Sequence, residues 1–212
     1  MAFEDLTSYQ QISVYLFCIF SCYLVILTFF LIYRAKRAEQ ERKYYFISIA
    51  FFTCLYTLCR VLLIIDLILQ IPPLSPFYIY GSFCAILGVA GLMIAVEKFV
   101  YHKFKYIPSI GVLIFAALVV LVPGTSDTKL VTYWVSMGTF FAILIPILYL
   151  KVGLKSVGEI RKNSFYIAFG ILVFLIGNAM NMGLLTALYE IFFILAPITM
   201  LIGLILFQMG LK

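Results

Sequence analysis

Residues 45–69 read YFISIAFFTCLYTLCRVLLIIDLIL, and their only charged members are Arg60 and Asp66. About 20 apolar residues suffice for a helix to cross the hydrocarbon core of a bilayer. In that medium a helix satisfies all of its backbone polar groups within the segment. The stretch therefore predicts a transmembrane helix, and the rest of the chain resembles it. Its 212 residues are 65% hydrophobic, 17% aromatic and 11% charged, against about 45–50% apolar and about 25% charged in soluble domains. Seven spans of about 20 residues use about 140 positions, which accounts for nearly all the apolar residues and leaves no soluble domain. An appended kinase, nuclease or nucleotide-binding domain is excluded, as is a disordered or disulfide-stapled chain.

Apolar runs separated by polar or Pro/Gly breaks predict spans at about 11–33, 45–69, 77–100, 106–123, 130–150, 164–186 and 189–209. Residues of the two types do not alternate in short segments, so a membrane β-barrel is not indicated. The first run follows Glu4 and Asp5 instead of a basic stretch, so it reads as a retained span and not a cleaved secretion signal. Orientation follows from Lys and Arg. All 15 of them except Arg60 and Lys129 lie in or at the edge of the connections between spans one and two, three and four, and five and six, or at Lys212. The positive-inside rule then puts the N-terminus outside and the C-terminus in the cytoplasm. On this topology Lys129 shares the outer side with Glu4, Asp5, Asp66, Asp127 and Glu190. The basic balance is thus a topology signal matched to anionic inner-leaflet lipid, and nucleic acid is not an expected partner.

Short connections put any function inside the helices or on a partner. The longest covers about residues 34–44, and the outer turns at 70–76 and 123–129 are rich in Pro, Gly and Ser. Arg42, Lys43 and Phe46 match Arg161, Lys162 and Phe165 in type and spacing. Basic residues before an outward-going helix are expected from topology alone, so the match reads as coincidence and not duplication.

Polar groups within the spans carry most of the functional information, because a central Arg costs about 2.5 kcal/mol or more. Arg60 falls in the outer half of span two, in reach of the outer interface, with Asp66 six residues nearer that surface. Asn178 and Asn181 sit at similar depth on one face of span six. Tyr133, Trp134, Ser136, Tyr189 and Glu190 can join from spans five and seven, and Ser82 from span three. The expectation is an outward-opening polar and aromatic cavity: Arg60 anchors an anionic or carbonyl-bearing ligand, Asn178 and Asn181 orient it, and Asp66, Tyr133, Trp134 and Glu190 complete the lining. A structural alternative stands beside it. Arg60 can snorkel to headgroups or pair with Asp66 or Glu190, and Asn side chains commonly bridge membrane helices.

Other motifs carry less. Glu97, followed by Lys98, reads as a partner for the basic groups at the inner interface, and His102 as a solvated loop residue. A single His cannot supply a bis-imidazole haem or a multi-His metal centre, and no metal or other cofactor is expected. Cys18, Cys22, Cys54, Cys59 and Cys84 form no CxxC pair and read as small packing groups. Gly81, Ala85, Gly88, Gly91 and Ala95 in span three, with Gly170 and Gly177 in span six, predict close helix contacts. Pro146 and Pro197 predict kinks in spans five and seven. No nucleophile elbow, zinc-protease motif or acid/base pair is visible, so an enzyme is not expected. Span seven carries no internal Lys for a retinal Schiff base.

Residues 161–182, RKNSFYIAFGILVFLIGNAMNM, followed by a span containing Pro197 and Gly203, resemble the last two helices of the seven-helix sensor regions that precede histidine kinases in bacteria and archaea. The resemblance implies a receptor for a small or membrane-borne signal, with output through a separate cytoplasmic protein. It carries no site residues across. The sequence thus points to an all-α integral membrane protein of the plasma membrane, a seven-helix bundle forming one domain over residues 1–212, with a receptor-like role. A small transporter or channel, or a structural subunit of a membrane complex, is the competing reading. Membrane lipids, a small molecule and an output protein are the expected partners.

Overall fold

The computed structural model describes residues 6–69, 75–100, 105–121, 135, 137–138, 140–181 and 189–211. These form α1 (Ser8–Arg37), α2 (Gln40–Leu69), α3 (Pro76–Phe99), α4 (Ile107–Leu121), α5 (Leu144–Lys155), α6 (Gly158–Met180) and α7 (Phe192–Gly210). No strand occurs among the described residues. Five helices, α1, α2, α3, α6 and α7, are long and apolar enough to cross a membrane. Their outward faces carry large apolar side chains such as Ile26 and Phe29, which are 66% and 69% exposed; surfaces of this kind suit lipid and not water. The chain is a helical membrane protein.

Local signals set the helix ends. Thr7 and Gln10 form a reciprocal capping box before α1: Gln10 N–H donates to Thr7 Oγ1 at 3.3 Å, and Thr7 N–H to Gln10 Oε1 at 3.0 Å. Ser75 caps α3 by accepting the Tyr78 N–H at 3.0 Å, with Pro76 in the first turn, where a missing N–H costs nothing. Between α5 and α6 the chain turns through Ser156 and Val157 to Gly158, whose φ of +64° suits a residue without Cβ.

Two expectations from the sequence need revision. The connection expected at 34–44 shrinks to Ala38 and Glu39, because α1 and α2 continue as helices past their apolar stretches. A helix of 30 residues is about 45 Å long, the thickness of hydrocarbon plus headgroups, and Arg34, Lys36 and Arg37 in the last turn of α1 complement its negative dipole end. The run expected at 130–150 is also broken. Residues 135, 137, 138, 140 and 141 are helical, Ala142 and Ile143 form a turn, and α5 starts afresh at Leu144. Pro146 explains the restart: inside a continuous helix its ring would meet the carbonyl of Ala142, whereas in the first turn of α5 its lack of an N–H is harmless. Likewise Pro197 lies in the buried part of α7, which opens with tight bonds from Phe192, Phe193 and Ile194 N–H to the carbonyls three residues back.

The chain divides into two compact units, residues 1–20 with 143–212 and residues 21–142. In the first, α6 and α7 cross antiparallel on glycine. A Cβ on Gly170 would lie 2.4 Å from Phe207 N, and one on Gly203 2.5 Å from Phe174 N. Gly177 meets Met200 and Ala196, and Gly210 meets Ile167 and Asn163, so the two backbones touch along the whole crossing. Phe20 stacks on Phe174 with ring centroids 6.4 Å apart. In the second unit α2 packs on α3, where Gly81 and Gly88 lie against the Cys59 and Phe52 carbonyls and Gly91 lies against the Phe51 ring. A hydrogen bond of 2.7 Å joins Thr28 of α1 to the buried Thr53 of α2. Ile86 and Ala90 of α3 form a core with Val112, Ala116 and Val119 of α4.

Candidate functional site

Arg60 is 3% exposed. It therefore does not lie against lipid, the position that would have made it a headgroup anchor only. Its Nη2 donates to the Tyr56 hydroxyl, and its guanidinium carbon stands 4.9 Å from the centroid of the Tyr56 ring. Helix geometry brings these groups together: each Cα–Cβ bond tilts toward the helix N-terminus, so residue 60 meets the side chain one turn earlier. The guanidinium consequently leans toward the N-terminal end of α2, away from Asp66. Tyr56 is itself buried, and its ring lies tilted at 35° to that of Phe52 with 5.7 Å between centroids. Tyr56 is the neighbour of Arg60 that the sequence alone does not single out, although an aromatic four residues before a buried cation is a readable signal.

Asp66 is engaged at the α2–α3 connection. Its Oδ1 accepts a hydrogen bond from Ser75 Oγ, the hydroxyl that also caps α3. Ser82, Cys59 and Cys84 are buried in the same unit. Asn178 and Asn181 belong to the other unit. Asn178 lies in the last turn of α6, and Asn181, expected within the span, is the residue that caps it, with its N–H on the carbonyls of Gly177 and Asn178 at 3.2 Å. Glu190 is exposed in the turn before α7, next to Tyr189, whose ring meets Phe192 edge-on. Tyr133, Trp134 and Ser136 lie outside the described residues, as does His102.

Glu97 departs from its expected place. It is 2% exposed, not spread on the interface, and its Oε2 accepts a hydrogen bond from the buried Ser109 of α4. Its other oxygen is buried and has no hydrogen-bond partner among the described residues. Lys98 turns elsewhere, its ammonium 5.2 Å from the Tyr44 ring centroid and 5.4 Å from that of Phe99. Just before α4, Lys105 and Tyr106 adopt φ of 47° and 63°, conformations that cost a side-chain-bearing residue about 1–3 kcal/mol each.

Among the described residues no three His, Cys, Asp or Glu side chains are grouped as metal ligands, and the five cysteines are free thiols. The chain matches no family model, no curated protein and no solved structure.

Proposed function

We propose that the chain is a seven-span receptor-like sensor of the plasma membrane, N-terminus outside, that binds a small anionic or carbonyl-bearing ligand at Arg60. The signal then passes through the basic inner ends of the helices to a separate cytoplasmic protein. One observation carries this reading: the guanidinium is buried inside a membrane-crossing helix and leans away from the nearer end of that helix. An Arg present only by tolerance relieves its cost by reaching for the nearest interface. Arg60 is instead seated on Tyr56, deeper along α2, where a guanidinium offers several fixed donors to a planar anion. Arg60 and Tyr56 of α2 support the ligand site, and the distribution of Lys and Arg supports the orientation.

A thermal-shift panel of small carboxylates, phosphates and carbonyl compounds on the purified protein tests the proposal. The expected result is a ligand whose stabilisation disappears in Arg60→Gln and weakens in Tyr56→Phe, with the helical circular dichroism of both variants intact. Stabilisation by every effective compound at full strength in Arg60→Gln removes the ligand role. Protease protection of tags at the two termini tests the orientation separately, and flux of an effective compound into liposomes would reassign the protein to transport.

A further inference from the structure

In the second unit, Cys22, Ile26, Phe29 and Tyr33 of α1 are all exposed. Their spacings of four, three and four residues place them in one row along the helix. The row ends at Arg37, itself exposed, whose guanidinium carbon lies 4.4 Å from the Tyr33 ring centroid. From Cys22 to Tyr33 is about 16 Å of helix at 1.5 Å per residue, and the hydrocarbon of one leaflet is about 15 Å thick. The apolar row thus has the length of a single acyl chain, with a cation at its end where a headgroup phosphate sits.

Charge decides which headgroup. Residues 34–43 hold Arg34, Lys36, Arg37, Arg42 and Lys43 against Glu39 and Glu41, so the excess is positive and a headgroup bearing its own ammonium gains less there than an anionic one. The Tyr33 ring also holds the Arg37 guanidinium at the end of the row. A guanidinium can take two phosphate oxygens at once.

We infer that the inner end of α1 is a binding site for an anionic glycerophospholipid, its acyl chain along Cys22, Ile26, Phe29 and Tyr33 and its phosphate on Arg37. The site depends on α1 crossing the membrane, and not on a ligand at Arg60.

Native mass spectrometry of the purified protein, titrated with dioleoyl-phosphatidylglycerol or dioleoyl-phosphatidylcholine, tests it. The expected result is higher occupancy by phosphatidylglycerol, a preference that Arg37→Gln reduces about fivefold, equivalent to the ~1 kcal/mol of one basic residue at an anionic surface. Tyr33→Phe, which keeps the ring, retains the preference. Lys155→Gln, a basic residue elsewhere, also leaves it in place. Equal occupancy by the two lipids overturns the assignment, and so does an unchanged preference in Arg37→Gln. A dimer that disappears in Phe29→Ala overturns it as well, because the row would then belong to a second copy of the chain.

Discussion

Replacing Gly170 by Ala tests the glycine crossing of α6 and α7. The new Cβ would stand 2.4 Å from Phe207 N, 2.7 Å from Gly203 O and 2.8 Å from Phe207 Cα, all of them backbone atoms that no rotamer change can move aside. Restoring ordinary contact requires the two helices to part by about 1 Å, and a gap of that size forfeits up to about half of each dispersion well. With on the order of 30 atom pairs along the crossing at about 0.1–0.2 kcal/mol each, the lost attraction is about 2 kcal/mol. Residual overpacking of the core adds about 1 kcal/mol. The helix preference of Ala over Gly returns about 1 kcal/mol, so the net loss is about 2 kcal/mol. Gly203→Ala should lose a similar amount, since its Cβ would stand 2.5 Å from Phe174 N. The double variant should lose less than the two together, because helices already parted admit the second methyl group. Gly111→Ala is the control: its nearest neighbour is the edge of the Phe141 ring at 3.4 Å, an ordinary contact, and it should be neutral or mildly stabilising. Reversible unfolding in mixed micelles measures all four. Should Gly170→Ala prove as stable as the parent while Gly111→Ala behaves as stated, the tight backbone contact would have to be abandoned.

Substitutions at three other polar contacts give further tests. Tyr56→Phe keeps the ring beneath Arg60 but removes the hydroxyl that its guanidinium bonds, and should cost about 1.5–3 kcal/mol; a change below 0.5 kcal/mol, about the error of such a measurement, would mean the hydroxyl is not the partner. Ser109→Ala removes the donor to buried Glu97 and should cost about 1–3 kcal/mol. Adding Glu97→Gln should recover part of that loss in the same unfolding assay, and a further drop would contradict the pairing. Ser75→Ala removes the cap of α3 and a partner of Asp66, for about 1 kcal/mol or more. Ser75→Asp, ordinarily a good cap, should fail to restore the parent midpoint because it faces the Asp66 carboxyl, and full restoration would refute the contact.

The long helices were legible because apolar run length is a direct reading of bilayer thickness, and α1, α2, α3, α6 and α7 appear where those runs lie. Their ends were harder to read. Hydropathy stops where lipid stops, whereas the hydrogen-bond ladder of α1 continues through Arg34 to Arg37 and leaves two residues of connection where eleven were expected. Pro146 was visible, but whether it kinks a helix or begins one depends on where the preceding turn falls, which composition does not encode. Glu97 reads from the sequence as a partner for the basic groups at the inner interface, yet consecutive helix residues point about 100° apart, so its side chain faces Ser109 while that of Lys98 faces Tyr44. Arg60 was identified as costly, and its burial agrees. Its direction is not legible from depth along the span, because the backward tilt of the Cα–Cβ bond sets it and not the nearest surface.

The two-residue link at Ala38 and Glu39 constrains how far the helix ends it joins can separate. Two 30-residue helices with so little chain between them form a hairpin with no slack, since two extended residues reach only about 7 Å. The facing ends of α1 and α2 are therefore tethered, and the two helices cannot part there without unwinding a turn of one of them, which keeps Arg34, Lys36 and Arg37 of α1 close to Arg42 and Lys43 of α2.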